Sequence, residues 1–376
     1  MKPRVLMVGR TRYTLPLSPS LARKFDALGE RFDLRVLATA PRGAVNGDAT
    51  FSLQRGTALR PLDGPRFYGS LPLRIARELR RARTDAILAQ SPYEALAALA
   101  GRKLARSDAA VVVEIHGDWR TWSRLYGSRA RAVVAPLADR AALVAIRNAD
   151  AVRTLSPFTT RIVREAGAEP AGTFTTYTEL TAFSEPPTVP LSERPTALLV
   201  AVLERYKNIH NVAEAWRLAA PRIPDARLRL VGDGQHRDVA AALVRDLPAQ
   251  VTWERRLTTP EVVSALDDAW LLLLASRSEG TPRVVLEALC RGRAVVGARA
   301  GGIPDVVWEG ETGLLVDPDR PGEIADALVR ILTDRELAIR FGEAARLRSA
   351  EWAYTADEYA ESVLELVGRA VEARRG

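Results

Sequence analysis

Apolar residues along this chain gather into short, near-continuous runs separated by longer stretches of helical period. Runs of strand length occur at 4–9, 33–38, 86–91, 109–116 and 151–156, then at 195–203, 226–231, 251–255 and 270–275. A run that is apolar at successive positions is expected of a strand buried on both faces, as in a parallel sheet. Helical periodicity marks 18–28, 71–83, 92–104 and 132–146. It returns from about 209, from 260, from 282, and over 325–332, 336–347 and 355–374. Repetition of strand, helix, strand predicts doubly wound α/β sheets in both halves. Residues 172–193, rich in Thr and Pro, follow neither period and read as a connection. The expected domains are therefore 1–185 and 190–350. A last segment, 351–376, follows, with Tyr359, Val363, Leu366, Val367 and Ala370 on one helical stripe.

The stretch 269–291 carries the densest chemistry. An apolar strand ends at Ala275, a turn runs from Ser276 to Thr281, and Pro282 suits the first position of a helix. Free N–H groups at such a start, at the carboxyl edge of a sheet, form a ready phosphate site from Gly280, Thr281 and Arg283. Glu279 precedes the helix, and Glu287 lies about 80° around it at 3.6 residues per turn. Two further strands deliver groups at their carboxyl ends. The run 109–116 ends in His116-Gly117-Asp118, where His116 faces ligand rather than core and Asp118 suffices as a helix cap. The run 226–231 ends in Gly232-Asp233-Gly234, whose glycines let backbone approach a ligand closely, although the same tripeptide makes an ordinary turn.

The ordered series Glu279-x7-Glu287, Arg293 to Asp305 with Gly301-Gly302, and Gly310 to Pro318 resembles the retaining GT-B glycosyltransferases of family 4. The resemblance is strong over about 196–320, moderate over 86–170 and poor in the first 80 residues. It implies two Rossmann-like domains facing across a cleft, with a C-terminal helix that crosses back to the first. It also implies transfer of a sugar from a nucleotide diphosphate sugar to an acceptor hydroxyl with retention. Lys207 matches the family's phosphate-binding lysine. Val202 occupies the place of its arginine, and Arg205 would restore that charge from the loop. Glu279 would hold a sugar hydroxyl beside the anomeric carbon, Glu287 the ribose hydroxyls, and His116 the donor sugar. No protein general base is implied. No cofactor or metal is expected, and no Asp-x-Asp loop is read beside a suitable strand. The loop after the first strand, Arg10-Thr11-Arg12, lacks the family's usual glycines. Val202 and this loop favour the alternative of a GT-B subunit that binds nucleotide sugar without transferring it.

Charge adds a hint about the other substrate. Residues 1–190 hold 29 Lys and Arg against 17 Asp and Glu, net +12, whereas the remainder is net −4, within an overall +8. A basic first half suits an anionic or lipid-linked acceptor, or a peripheral membrane contact. The basic stretch 71–83 and the segment Trp119, Trp122, Arg124, Leu125, Tyr126, Arg129 and Arg131 mix arginine with apolar groups, as interfacial helices do. Nucleic acid is not an expected partner. The opening residues pass straight into a strand and no run is long enough to span a bilayer, so a cytoplasmic protein is expected. The single cysteine, Cys290, excludes an intrachain disulfide and reads as a core residue.

Overall fold

A computed structural model describes residues 2–44, 47–59, 62–121 and 129–376, for 129–134 the backbone only. The chain divides into two compact units, Met1–Tyr177 with Tyr354–Gly376, and Thr178–Ala353. The first contains strands β1 (Arg4–Arg12), β2 (Asp33–Ala40), β3 (Phe51–Arg55), β4 (Ala86–Ala89), β5 (Ala110–Ile115), β6 (Ala151–Thr154) and β7 (Gly172–Thr173). They pair in parallel in the order β3-β2-β1-β4-β5-β6-β7. The second contains β8 (Thr196–Val200), β9 (Arg227–Val231), β10 (Val251–Glu254), β11 (Leu271–Leu274), β12 (Ala294–Ala298) and β13 (Gly313–Val316). These are also parallel, in the order β10-β9-β8-β11-β12-β13. Both orders reverse beside their first strand, which places a switch point between β1 and β4 and another between β8 and β11.

Burial follows the sequence pattern closely. All four residues of β4, of β6 and of β11 are buried, as are all six of β5. Strands β3, β7, β12 and β13 were not legible as runs. They are short edge or near-edge strands, and β12 and β13 carry their glycines within the motif series.

The basic helix expected over 71–83 starts earlier and spans Asp63–Arg81, passing through Pro72. An internal proline costs about 3 kcal/mol. Phe67, Leu71, Ile75 and Leu79 recur every fourth residue and are all buried. Burying Phe67 and Leu71 contributes roughly 1.5–3 kcal/mol each, enough to carry the helix past the proline.

The terminal helix Ala356–Arg375 is capped by Thr355 and buries Tyr359, Val363, Leu366, Val367 and Ala370 in the core of the first unit, against Phe25, Leu28 and β5. A 3₁₀ turn at Ser349–Trp352 precedes it.

The connecting segment also has definite anchors. Arg291 and Arg293, both buried, bond the carbonyls of Pro186, Pro187 and Val189, while Asp267 neutralises them. Cys290 is buried in an apolar cluster and its thiol is pushed up by that burial, which fits the core role read from its position.

Candidate active site

The switch point of the second sheet gathers the motif residues. From β8 the chain passes exposed Val202 and a 3₁₀ turn, Arg205–Lys207, to Asn208, which adopts the left-handed conformation at φ 60°, ψ 33° before the helix Ile209–Ala219. Asn208 Nδ2 donates to the Pro318 carbonyl at 2.5 Å, as does Asn211 Nδ2 at 2.9 Å, so this bend is tied to the loop after β13. From β11 the chain turns through Ser276–Pro282. The Arg277 N–H donates to the Tyr206 carbonyl at 2.8 Å, joining the two loops that flank the switch point.

Between those loops Lys207 Nζ lies 2.6 Å from Glu279 Oε1, each side chain only 13% exposed. In a pair this sheltered, desolvation offsets much of the Coulombic gain. The backbone of Glu279 is itself held from behind. Gly302 N–H donates to its carbonyl at 3.0 Å. Gly301 sits at φ +59°, and a Cβ there would fall 2.5 Å from that carbonyl oxygen. Only glycine fits this contact.

The helix after the turn is Arg283–Cys290, with Pro282 as its extended N-cap rather than its first residue, and no side chain caps the start. Arg283 Nε lies 2.7 Å from Glu287 Oε1, one turn on. The Glu287 carboxyl is largely buried, which pushes its pKa up, and Arg283 opposes that shift. Buried polar atoms without a protein partner remain around this pocket: Asn208 Oδ1, Ser276 Oγ and Thr281 Oγ1. Gly280 lies within the turn, half-buried.

Arg205 is exposed and makes no ion pair among the described residues. Gly232 and Gly234 have a reason of their own. A Cβ on Gly232 would meet the Ala201 carbonyl oxygen at 1.8 Å, and one on Gly234 the Leu203 carbonyl oxygen at 2.5 Å. They let the loop after β9 pack against the loop after β8, a role the turn sequence alone did not reveal. The reading of Asp-x-Asp also needs correction, because Asp317-Pro318-Asp319 directly follows β13. Its carboxylates are engaged within the fold. Asp317 Oδ1 accepts from Asp319 N–H at 2.9 Å, and Asp319 takes Arg277 at 2.7 Å. No group of three His, Cys, Asp or Glu side chains arranged for a metal occurs among the described residues.

In the first unit His116 leaves β5 with its ring 39% exposed and Nε2 3.4 Å from Glu114 Oε2. Glu114 is buried in β5 and pairs with Arg153, fully buried in β6. Burial pushes the Glu114 carboxyl up more than any one neighbour pulls it down, but the Arg153 charge, the His116 hydrogen bond and Lys24 together outweigh it and hold the pKa well below the carboxylate range. Arg153 also donates to the carbonyls of Phe174 and Thr175 and lies 5.3 Å from the Tyr359 ring centroid. A charged residue inside a four-residue buried strand was the signal for this support, unread at Ala151–Thr154. Asp118 accepts the Arg120 N–H at 2.9 Å and pairs with its guanidinium, so capping accounts for it. Trp119 is core, 6% exposed. The rest of the aromatic and arginine segment, from Trp122 to Arg131, lies outside the residues whose side chains are described. No described helix is long and apolar enough to cross a membrane.

Two doubly wound parallel sheets, one bearing Glu279 and Glu287 on either side of a helix start, define a GT-B protein. Comparison with known sequences and structures agrees. The family profile described as glycosyl transferases group 1 matches residues 184–348, and the glycosyl transferase 4-like domain matches 18–175. The chain belongs to the family 4 glycosyltransferases. A stretch of 170 residues is 32% identical to sulfoquinovosyl transferase SQD2 of Arabidopsis thaliana, covering 44% of this chain and 32% of that protein. Sucrose-phosphate synthase from Thermosynechococcus elongatus shares the fold at 18% identity and a TM-score of 0.75, over 97% of this chain and 98% of that one. HepE of Anabaena, solved in complex with UDP, aligns at 16% identity and a TM-score of 0.69, over 97% and 99%.

Proposed function

We propose that this protein transfers a sugar from a nucleotide diphosphate sugar to an acceptor hydroxyl, with retention at the anomeric carbon. The single observation that carries the reading is Lys207 paired to Glu279 at the second switch point, beside an uncapped helix start. On donor binding, Lys207 turns from Glu279 to the diphosphate, and Arg283 turns from Glu287 in the same way. The amides of Gly280, Thr281 and Arg283 and the Thr281 Oγ1, which lacks a protein partner, complete the phosphate contacts. Glu287, released, accepts from the ribose hydroxyls, and Glu279 accepts from a hydroxyl of the sugar. His116 contacts the sugar, its ring steadied by Glu114. Exposed Arg205 supplies the cation that Val202 lacks. The leaving diphosphate, neutralised by protein cations, takes the acceptor's proton, so no side chain acts as general base. The reading assigns no metal to this step.

The acceptor side belongs to the first domain, taken as 1–185, with the donor side in 190–350 and the segment 351–376 returning to the first. The basic first half, with Leu73 at 67% and Leu137 at 71% exposure on its helices, suits an acidic or lipid-linked acceptor met at the inner face of a membrane from the cytoplasm. The test is release of nucleoside diphosphate from a panel of donors, with and without acceptors. Release that disappears in Glu279→Ala and Lys207→Ala, with the fold intact, supports the assignment. A donor soaked into crystals that leaves this pocket vacant overturns it.

A further inference from the structure

The first sheet carries a cluster that the donor chemistry does not use. Where the glycine-poor loop Arg10-Thr11-Arg12 was expected, β1 continues to Arg12, with a register shift between Val8 and Arg12 that pairs Arg12 with Thr39 of β2. Thr39 Oγ1 donates to the carbonyls of Arg10 and Thr11, both at 3.1 Å, and Tyr13 N–H donates to the Thr39 carbonyl at 2.9 Å. The backbone is therefore fixed, and alternation along it separates the side chains. Thr11 turns to Gln90, at 2.9 Å. Arg10 and Arg12 instead line a cleft of about 20 Å³ with Thr39, Gln54, Arg55 and Asp63.

Three arginines and one carboxylate line that cleft, and Arg10 also acts on the buried Glu94 carboxyl, so the cationic excess falls on Arg12 and Arg55. Asp63 is already engaged. It accepts from the Thr57 N–H at 2.7 Å and the Thr57 hydroxyl at 2.8 Å, with Arg12 3.8 Å away. Arg12 is 60% exposed and Arg55 is exposed, so both forks are open to an incoming group. Arginine forks match phosphate oxygens in pairs, and a fixed backbone lowers the entropy lost in doing so.

We propose that the cleft of Arg10, Arg12 and Arg55 is a phosphate monoester site. Its dianion complements the local charge excess, and it holds the phosphorylated end of the acceptor. The last clause rests on the transferase reading; the anion site stands on the first unit alone.

The test uses the full chain and inorganic phosphate. Arginines are modified with phenylglyoxal, with phosphate, with acetate or with sodium chloride at matched ionic strength, and mapped by peptide mass. Phosphate should protect Arg12 and Arg55 several-fold more than acetate or chloride does. In Arg12→Gln/Arg55→Gln, the phosphate affinity of the Arg10 peptide should fall about tenfold or more, with unfolding temperature unchanged. Equal protection by all three salts overturns the proposal, as does protection by acetate alone or unaltered affinity in the double variant. UDP binding, followed by protection of Arg283 in the same digest, reports on the donor reading separately. Loss of that signal with Arg12 still protected sinks the transferase assignment and leaves the anion site standing.

Discussion

The two sheets of this protein share a strand order around their switch points, yet fill those points differently. At β8 and β11 an ion pair, Lys207–Glu279, lies in surface loops tied together by backbone bonds and is partly open to solvent. In the first sheet the ion pair lies one strand beyond the switch point and inside the sheet: Glu114 of β5 pairs with buried Arg153, leaving His116 at the rim. At its switch point the second unit thus keeps its charges exchangeable, available to a ligand with more to offer than the partner in hand, while its buried Arg291 and Arg293 hold shape elsewhere. The first uses charge to hold shape, and places exposed arginines further out, at Arg12 and Arg55.

The largest effect that would sharpen this contrast is on stability. Arg153→Met leaves Glu114 buried without a counter-charge, which should cost about 3–5 kcal/mol in denaturant unfolding. A loss of under 1 kcal/mol would place Glu114–Arg153 in the exchangeable class. Next in size, Lys207→Ala should lower transfer about 10²–10³-fold while costing less stability than Arg153→Met, because its role is charge presented to the leaving group. A large stability loss with activity per folded molecule retained would break the comparison.

Gly301→Ala forces a side chain onto the Glu279 carbonyl at positive φ, and should cost on the order of 1–3 kcal/mol. Activity should fall with it, measured alongside unfolding, since Glu279 must move. The smallest effect concerns Glu287. Burial raises its folded pKa, so the folded state binds the proton more readily than the unfolded chain does. Its unfavourable contribution is absent below the unfolded pKa and present in full above the folded one. Glu287→Gln should therefore gain stability relative to wild type as pH rises through that window, with the two curves meeting in acid. Curves that stay parallel across it would show that Arg283 neutralises the carboxyl completely.

Legibility differed between the same regions, for a physical reason. The second unit announces itself because its working groups are local in sequence: a strand, a glycine-bearing turn and a helix start fit within 269–291, and each step has its own residue chemistry. Lys207 and Glu279 are 72 positions apart. They could be paired only through the family pattern, and the contact itself came from the fold. In the first unit Glu114, Arg153 and Tyr359 come from three distant segments, and nothing local marks them as partners. The start of the helix at Asp63 was hidden by Pro72, whose local cost is outweighed only after Phe67 and Leu71 find a core.

What the sequence by itself determined is the alternation of the central strands with helices, the switch-point chemistry of 269–291 and the uneven charge. Those follow from periodicity and from turn and helix-start residues, which act over a few positions. The tertiary structure alone decided which charge meets which: Arg283 on Glu287, Arg153 on Glu114, Gly232 and Gly234 against backbone, and Arg10 beside Arg12 and Arg55. Electrostatic and steric partners are chosen by distance in space, and a linear chain does not carry that distance.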